Sequence, residues 1–368
     1  MLLLEKAASF RISIFFTALI CIAPLTGLAQ STESMPDKPA NVILMIGDGM
    51  GLTQMSSIYY RDVETVHFDQ MTDVGLLKTW SSNAKITDSA SSATAYAAGI
   101  KTYNGALGVN SDTVSVESIV ERISPKGIAT GLIATSSITH ATPAAFYAHV
   151  SSRSMHEKIA RHLTMSEVDF FAGGGLKFFA KRDDGRNYFN MLGRHGFEAD
   201  STALKQPDEI DSQKKYGFLL ADDGLPKMIE GRGSFLPDAT ELALHYFKQK
   251  EMPFFMMVEG SQIDWGGHQN SSEYLMTEVE DFNEALGRVL RFAEEDGNTL
   301  VIVTADHETG GFALSSGENY NNLNGTFSTG GHTATLIPIY AFGPGSSLFN
   351  GIFDNTGVYD KILEAAGW

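Results

Sequence analysis

Cysteine is nearly missing from this chain: Cys21 is the only one in 368 residues. That excludes a disulfide framework and any cysteine-ligated zinc module. Positive charge is scarce too, with 27 Lys+Arg against 44 Asp+Glu and a net charge of −17. A nucleic-acid binder needs a basic face, so that class is disfavoured. The sequence shows no internal repeat, no low-complexity tract and no convincing linker. What remains is 43% hydrophobic and 19% charged, too apolar for disorder over most of the length. A chain of this size buries roughly three quarters of its unfolded surface, and we read one domain from residue 41 to 368.

Residues 1–29 read as a signal peptide. Lys6 and Arg11 supply the positive start, an apolar run follows from Ile12 to Leu25, and Gly27-Leu28-Ala29 places small residues at the cleavage positions before Gln30. The apolar run is shorter than the roughly 20 residues of a membrane span, so no membrane attachment is expected after cleavage. The protein is then exported, to the periplasm or the medium. Cys21 leaves with the leader, and packing and metals must hold the rest. Residues 30–40 are polar and contain proline, as in a flexible mature N-terminus.

Val42 to Ile46 is a continuous apolar run of the kind found in strands buried on both faces. Similar runs recur at 75–79, 128–134, 218–221, 254–258, 299–303 and 337–342. Helical spacing lies between them, most clearly over 277–295, where Val279, Phe282, Leu286, Val289 and Ala293 share a face and Gly297 is a stop. The alternation predicts an α/β protein, a sandwich on a large, mainly parallel central sheet. Residues 315–331 read as a polar loop.

Ligands of such sheets bind beyond the carboxyl ends of strands. Asp48 follows the first run, Thr139, His140 and Thr142 the third, Glu259, Asp264 and His268 the fifth, and Asp306 and His307 the sixth. Asp264 and His268 are one helical turn apart, and His332 could complete a zinc set with them. Asp306, His307 and Asp48 form a second candidate set. Asp48, Thr142 and Glu259 offer only oxygen, which suits magnesium. Ser89, at the head of the small-residue stretch 89–98, is the candidate nucleophile at a helix N-terminus. On that stretch alone, Asp88 or Ser89 could equally be a helix cap. Arg153 offers a two-pronged fork for a phosphoryl group, or is a surface arginine.

These segments together resemble bacterial alkaline phosphatases of the cold-active marine and Antarctic type. The matching stretches are IGDGMG at 46–51, TDSAS at 87–91, KTYNGALGV at 101–109, THATPAAFYAHVSSR at 139–153, EGSQIDWGGH at 259–268, TADHETGG at 304–311 and GGHT at 330–333. They occur in order across nearly the whole mature chain. The resemblance implies a three-layer αβα sandwich, commonly a homodimer, with two Zn2+ and one Mg2+ per chain. It also implies hydrolysis of small phosphate monoesters through a phosphoserine, with an alkaline pH optimum. It assigns Ser89 as nucleophile, Arg153 to phosphate, Asp264, His268 and His332 to one zinc, Asp48, Asp306 and His307 to the other, and Asp48, Thr142 and Glu259 to magnesium.

Two positions depart from the enteric pattern. His140 stands where that pattern has Asp near the magnesium, and Trp265 where it has Lys outside the phosphate; both are expected behind the direct ligands. The segment between Gly311 and Gly330 is short, so an interface crown should be small or absent. A sulfatase would need x-Pro-x-Arg after its nucleophile, and Ser89 is followed by Ala90 and Ser91. A phosphodiesterase fits less well, because Arg153 favours a terminal phosphoryl group. A metal- or phosphate-binding protein would leave Ser89 without a role.

Overall fold

The computed structural model describes residues 38–368. The expected leader, its cleavage before Gln30, Cys21 and most of the stretch 30–40 lie outside the described residues.

In chain order the strands are β1 (Asn41–Gly47), β2 (Asp73–Lys78), β3 (Ala129–Ser137), β4 (Phe170–Gly174), β5 (Phe197–Asp200), β6 (Lys215–Leu219), β7 (Phe254–Gly260), β8 (Thr299–Ala305), β9 (Glu308–Thr309), β10 (Phe312–Ser316), β11 (Leu323–Phe327), β12 (His332–Thr333), β13 (Ile337–Phe342) and β14 (Gly351–Asp354). Ten of them form one sheet, in the order β14-β2-β13-β8-β1-β7-β3-β4-β6-β5. Only β13 runs against its neighbours β2 and β8; every other pairing is parallel. Every residue of β1, β3, β7 and β8 is buried, which is why their sequences run apolar rather than alternating. In the middle of the sheet Val42 lies opposite Phe255 on one side and Leu300 on the other.

Parallel neighbours need crossovers, and helices supply them. The helices Phe235–Lys250 and Ser272–Asp296 pack on each other and on the sheet, and Ser89–Ala98 pairs with Gly357–Ala366. The result is the three-layer αβα sandwich expected from the sequence. The long helix starts earlier than the periodicity suggested, at Ser272, and stops at Gly297 in the left-handed conformation with φ 65°, as a C-terminal glycine does.

Two readings are corrected. The segment 315–331 is not simply a polar loop: Leu323–Phe327 pairs antiparallel with Phe312–Ser316, with Phe312 opposite Phe327 and their rings 5.0 Å apart. One aromatic pair anchors this hairpin, and its other residues are largely exposed, so no hydrophobic alternation marked it. The strands β4, β5 and β14 also went unread, being only four or five residues long.

Candidate active site

Four strands adjacent at the centre of the sheet, β8, β1, β7 and β3, deliver the candidate residues from their carboxyl ends. Asp48 follows β1, Glu259 ends β7, Asp306 and His307 follow β8, and His140 and Thr142 follow β3. All are buried except His140, which is partly exposed. Gly49 is required directly after Asp48: its φ is +70°, and a Cβ there would lie 2.7 Å from Thr309 Oγ1 and 2.9 Å from Asp264 Cα. Its amide donates to Asp306 Oδ1 at 3.0 Å.

Asp264 and His268 sit on one short helix, Gln262–His268, and His332 reaches them from β12. His268 Nδ1 lies 2.7 Å from the Gly330 carbonyl, and His332 Nδ1 lies 2.9 Å from the Thr87 carbonyl. Those carbonyls can only accept, so each Nδ1 carries the hydrogen and each Nε2 is left as a donor of electrons. The two Nε2 atoms are 3.2 Å apart, and they lie 3.4 and 3.6 Å from Asp264 Oδ1. Ligands about 2.0–2.1 Å from a tetrahedral zinc stand about 3.3 Å from each other, so this triangle fits that ion. In the second group, His307 Nε2 is 3.2 Å from Asp306 Oδ2 and 3.5 Å from Asp48 Oδ1. In the third, ligand atoms of Asp48, His140 and Glu259 all lie within 4.8 Å of one another. His140, expected behind the direct ligands, is therefore brought level with the candidate ligand atoms of Asp48 and Glu259.

The donor chemistry calls for cations. Both Asp48 oxygens, Asp306 Oδ2, Glu259 Oε1, Thr142 Oγ1 and His140 Nδ1 are buried with no hydrogen-bond partner among the described residues, a costly arrangement unless something else satisfies them. Burial, and then the charges of Asp306, Asp264 and Glu259, push Asp48 well above the carboxylate range. Burial raises Asp306 as well, and lifts Glu259 to about 7. Burial holds His307 and His140 well below the usual imidazole value, helped by His332 for the first and Arg153 for the second, so both rings are neutral and able to ligate.

Ser89 is the first residue of the helix Ser89–Ala98. Asp88 caps that helix by accepting from the Ser91 amide at 3.0 Å, so Ser89 has no capping duty. Its Oγ lies 3.2 Å from His307 Nε2. Arg153 Nη1 donates to Asp88 Oδ2 at 3.1 Å, and its Nη2 donates to His140 Nε2 at 3.2 Å. Burial pulls Asp88 upward, but Arg153 and the amides of Ser91 and Gly105 hold it below the ordinary value. Trp265 is partly buried: its ring meets that of His140 edge-on at 6.0 Å, and Gly224 packs against it so closely that a Cβ would come within 2.6 Å.

Sequence reasoning missed the residues that orient this group. Asp88 was read as a cap and also holds Arg153. Thr309 Oγ1 donates to Asp264 Oδ1 at 2.6 Å, and Ser261 Oγ donates to Glu259 Oε2 at 2.6 Å. Glu308 accepts from Gln54, from the Phe312 amide and from Thr333 next to His332. Glu308 and Thr309 stand inside TADHETGG and Ser261 inside EGSQIDWGGH, which is the signal that could have found them.

An alkaline phosphatase family profile matches residues 39–326. Alkaline phosphatase 3 of Bacillus subtilis is 32% identical, with 93% of this chain and 92% of that protein aligned. The Escherichia coli alkaline phosphatase is 30% identical, over 93% of this chain and 90% of its own. Among solved structures, the alkaline phosphatase of the Antarctic bacterium TAB5 superposes with a TM-score of 0.89 at 51% identity, covering 90% of this chain and 98% of that one. Two variants of that Antarctic enzyme, with a histidine replaced by glutamate or aspartate, hold magnesium in a site called M3. With the family profile spanning most of the chain, and with the strand-end carboxylates, imidazoles and serine gathered at one rim of the sheet, the chain belongs to the alkaline phosphatase family of hydrolases.

Proposed function

We propose that the chain hydrolyses phosphate monoesters by passing the phosphoryl group first to Ser89 and then to water, with an alkaline pH optimum. The observation that carries this reading is the placement of Ser89 Oγ: free of capping, buried, and within 3.2 Å of His307 Nε2. Asp264, His268 and His332 would hold one zinc, Asp48, Asp306 and His307 a second, and Asp48, Thr142 and Glu259 a magnesium, with His140 beside it. Such ions supply Lewis acidity, lowering the pKa of the serine hydroxyl and offsetting charge on the entering and leaving oxygens.

Ser89 Oγ attacks phosphorus in line with the ester oxygen, so the Oγ–P bond forms as the bond to the alcohol breaks. Arg153, kept in place by Asp88, presents its fork to two free phosphoryl oxygens. Water then displaces Ser89 and inorganic phosphate leaves. A diester has one fewer free oxygen for the fork, so monoesters are preferred. Turnover of p-nitrophenyl phosphate with little turnover of bis-p-nitrophenyl phosphate tests this; equal rates on both would favour a phosphodiesterase.

The charged start, apolar run and small-residue cleavage pattern of residues 1–29 support export to the periplasm, and N-terminal sequencing of exported protein that returns Met1 would overturn it. Family membership supports a homodimer; a monomeric mass by light scattering would contradict it.

His140 and Trp265 should set how quickly product leaves. An imidazole at 140 adds no charge beside Asp48 and Glu259, and an indole at 265 adds no cation near phosphate. His140→Asp combined with Trp265→Lys should therefore tighten inorganic-phosphate inhibition and slow release, with effects that do not simply add because the two rings touch. The magnesium-holding variants of the Antarctic relative agree with a carboxylate serving that ion. An unchanged or weaker inhibition constant at saturating zinc and magnesium would rule this out.

A further inference from the structure

A second feature beside the catalytic rim has no role in the chemistry above. Six of the chain's 27 lysines and arginines line one cavity of about 660 Å3: Lys158, Arg161, Lys177, Lys181, Arg182 and Arg186. In a protein of net charge −17 this is a local reversal of sign. Part of it is neutralised. Arg182 pairs with Asp184 at 2.7 Å and Glu157 at 3.5 Å, Lys181 with Asp222 at 2.6 Å, and Lys177 with Asp223. Lys158, Arg161 and Arg186 have no ion-pair partner among the described residues, and Asp183 is the one lining carboxylate without one. Three uncommitted cations therefore face one uncommitted anion.

The cavity adjoins the catalytic rim through three links. Its wall begins at Ser154, the residue after Arg153. His156 Nδ1 lies 3.1 Å from Thr139 Oγ1, beside His140. Asp223, the partner of Lys177, precedes Gly224, which packs on Trp265. The helix His156–Thr164 opens into the cavity with Met155 as its N-cap, and no side chain caps it, so the positive end of its dipole adds to the same field. The aromatic wall is already occupied. Phe178 stacks on His156 at 4.4 Å and carries Lys177 Nζ 4.8 Å from its centroid. Both features leave charge, rather than ring stacking, as the means of recognition.

We propose that this cavity is a subsite for the leaving group of phosphomonoester-type substrates that carry further phosphoryl groups. The inference rests on the phosphatase reading above and names a substrate class for it: compounds whose leaving group is itself an anion. The reacting phosphoryl group sits at Ser89 and Arg153, while the remaining phosphates extend past Ser154 toward Lys158, Arg161 and Arg186. Clustered charge of this kind raises local anion concentration and association rate, an effect that salt suppresses.

AMP and ATP make a matched test, since they leave as neutral adenosine and as anionic ADP. At buffered, saturating zinc and magnesium and low ionic strength, the triple variant Lys158→Glu, Arg161→Glu, Arg186→Glu should lose about tenfold in kcat/KM for ATP and less than about twofold for AMP. Added salt should erase the difference between wild type and variant on ATP. The corresponding triple alanine variant should show the same sign with a smaller loss, which keeps the test informative if charge reversal harms folding. Parallel loss on both substrates, or no loss on either, would overturn the subsite while leaving the phosphatase reading intact. Wild-type protein inactive on AMP and ATP alike would overturn the phosphatase reading itself.

Discussion

Ser89→Ala should reduce kcat by at least about a thousandfold and abolish covalent phosphoenzyme, while leaving the fold undisturbed. The two halves of this expectation come from different atoms. The expected loss of catalysis rests on Oγ, the proposed nucleophile, which contacts His307 and no backbone amide. Helix stability depends on Asp88, whose carboxylate caps Ser91, so removing the serine hydroxyl costs no cap. The residual rate would come from direct attack of water on a phosphoryl group still bound by Arg153. Acid-quenched reactions with labelled phosphate check it: wild type should yield labelled phosphoserine at position 89 and the variant none. Label recovered at another residue of wild type would refute the assignment. A large drop in thermal midpoint would show that the lost activity reflects folding.

Stripping the metals should abolish turnover and also reverse the way stability responds to pH. In the metal-free fold Asp48, Asp306 and Glu259 all have pKa values raised by burial, Glu259 to about 7. An acid whose pKa is raised by folding contributes stability that is complete below its unfolded value near 4.5 and lost as pH climbs through its folded value. The chelated protein should thus be less stable at pH 8 than at pH 6, by about 1 kcal/mol from Glu259 alone. The metal-loaded protein should do the opposite, because its ligands must be deprotonated to bind. No disulfide compensates, since residues 38–368 contain no cysteine. Denaturation curves at both pH values, with and without chelator, decide this. Restoration of activity by zinc with magnesium completes the test, and full turnover after long incubation in excess chelator would contradict the metal assignment.

Much of the fold was legible because burial on both faces leaves an apolar run that needs no partner to be recognised. β1, β7 and β8 were read in this way, and Gly297 ended its helix as expected. The hairpin Phe312–Phe327 was not legible, because its stability comes from one ring pair that local periodicity cannot register.

Residue types near strand ends also identified the site's inventory: a serine opening a small-residue helix, Asp264 and His268 a turn apart, and Asp306 beside His307. Those features depend on neighbours within about one helical turn, so the chain alone determined them. Tertiary structure decided how they meet. Ser89 touches His307 across 218 positions, and Arg153 reaches Asp88 across 65. His140 joins Asp48 and Glu259 because β3, β7 and β1 are neighbours in the sheet. Strand order is set by how the helices pack and cross over, not by any local pattern. The sequence could therefore name candidate ligands, while only the folded sheet could place His140 beside Asp48 and Glu259, assign Asp88 the task of holding Arg153, and gather a basic cavity on an acidic protein.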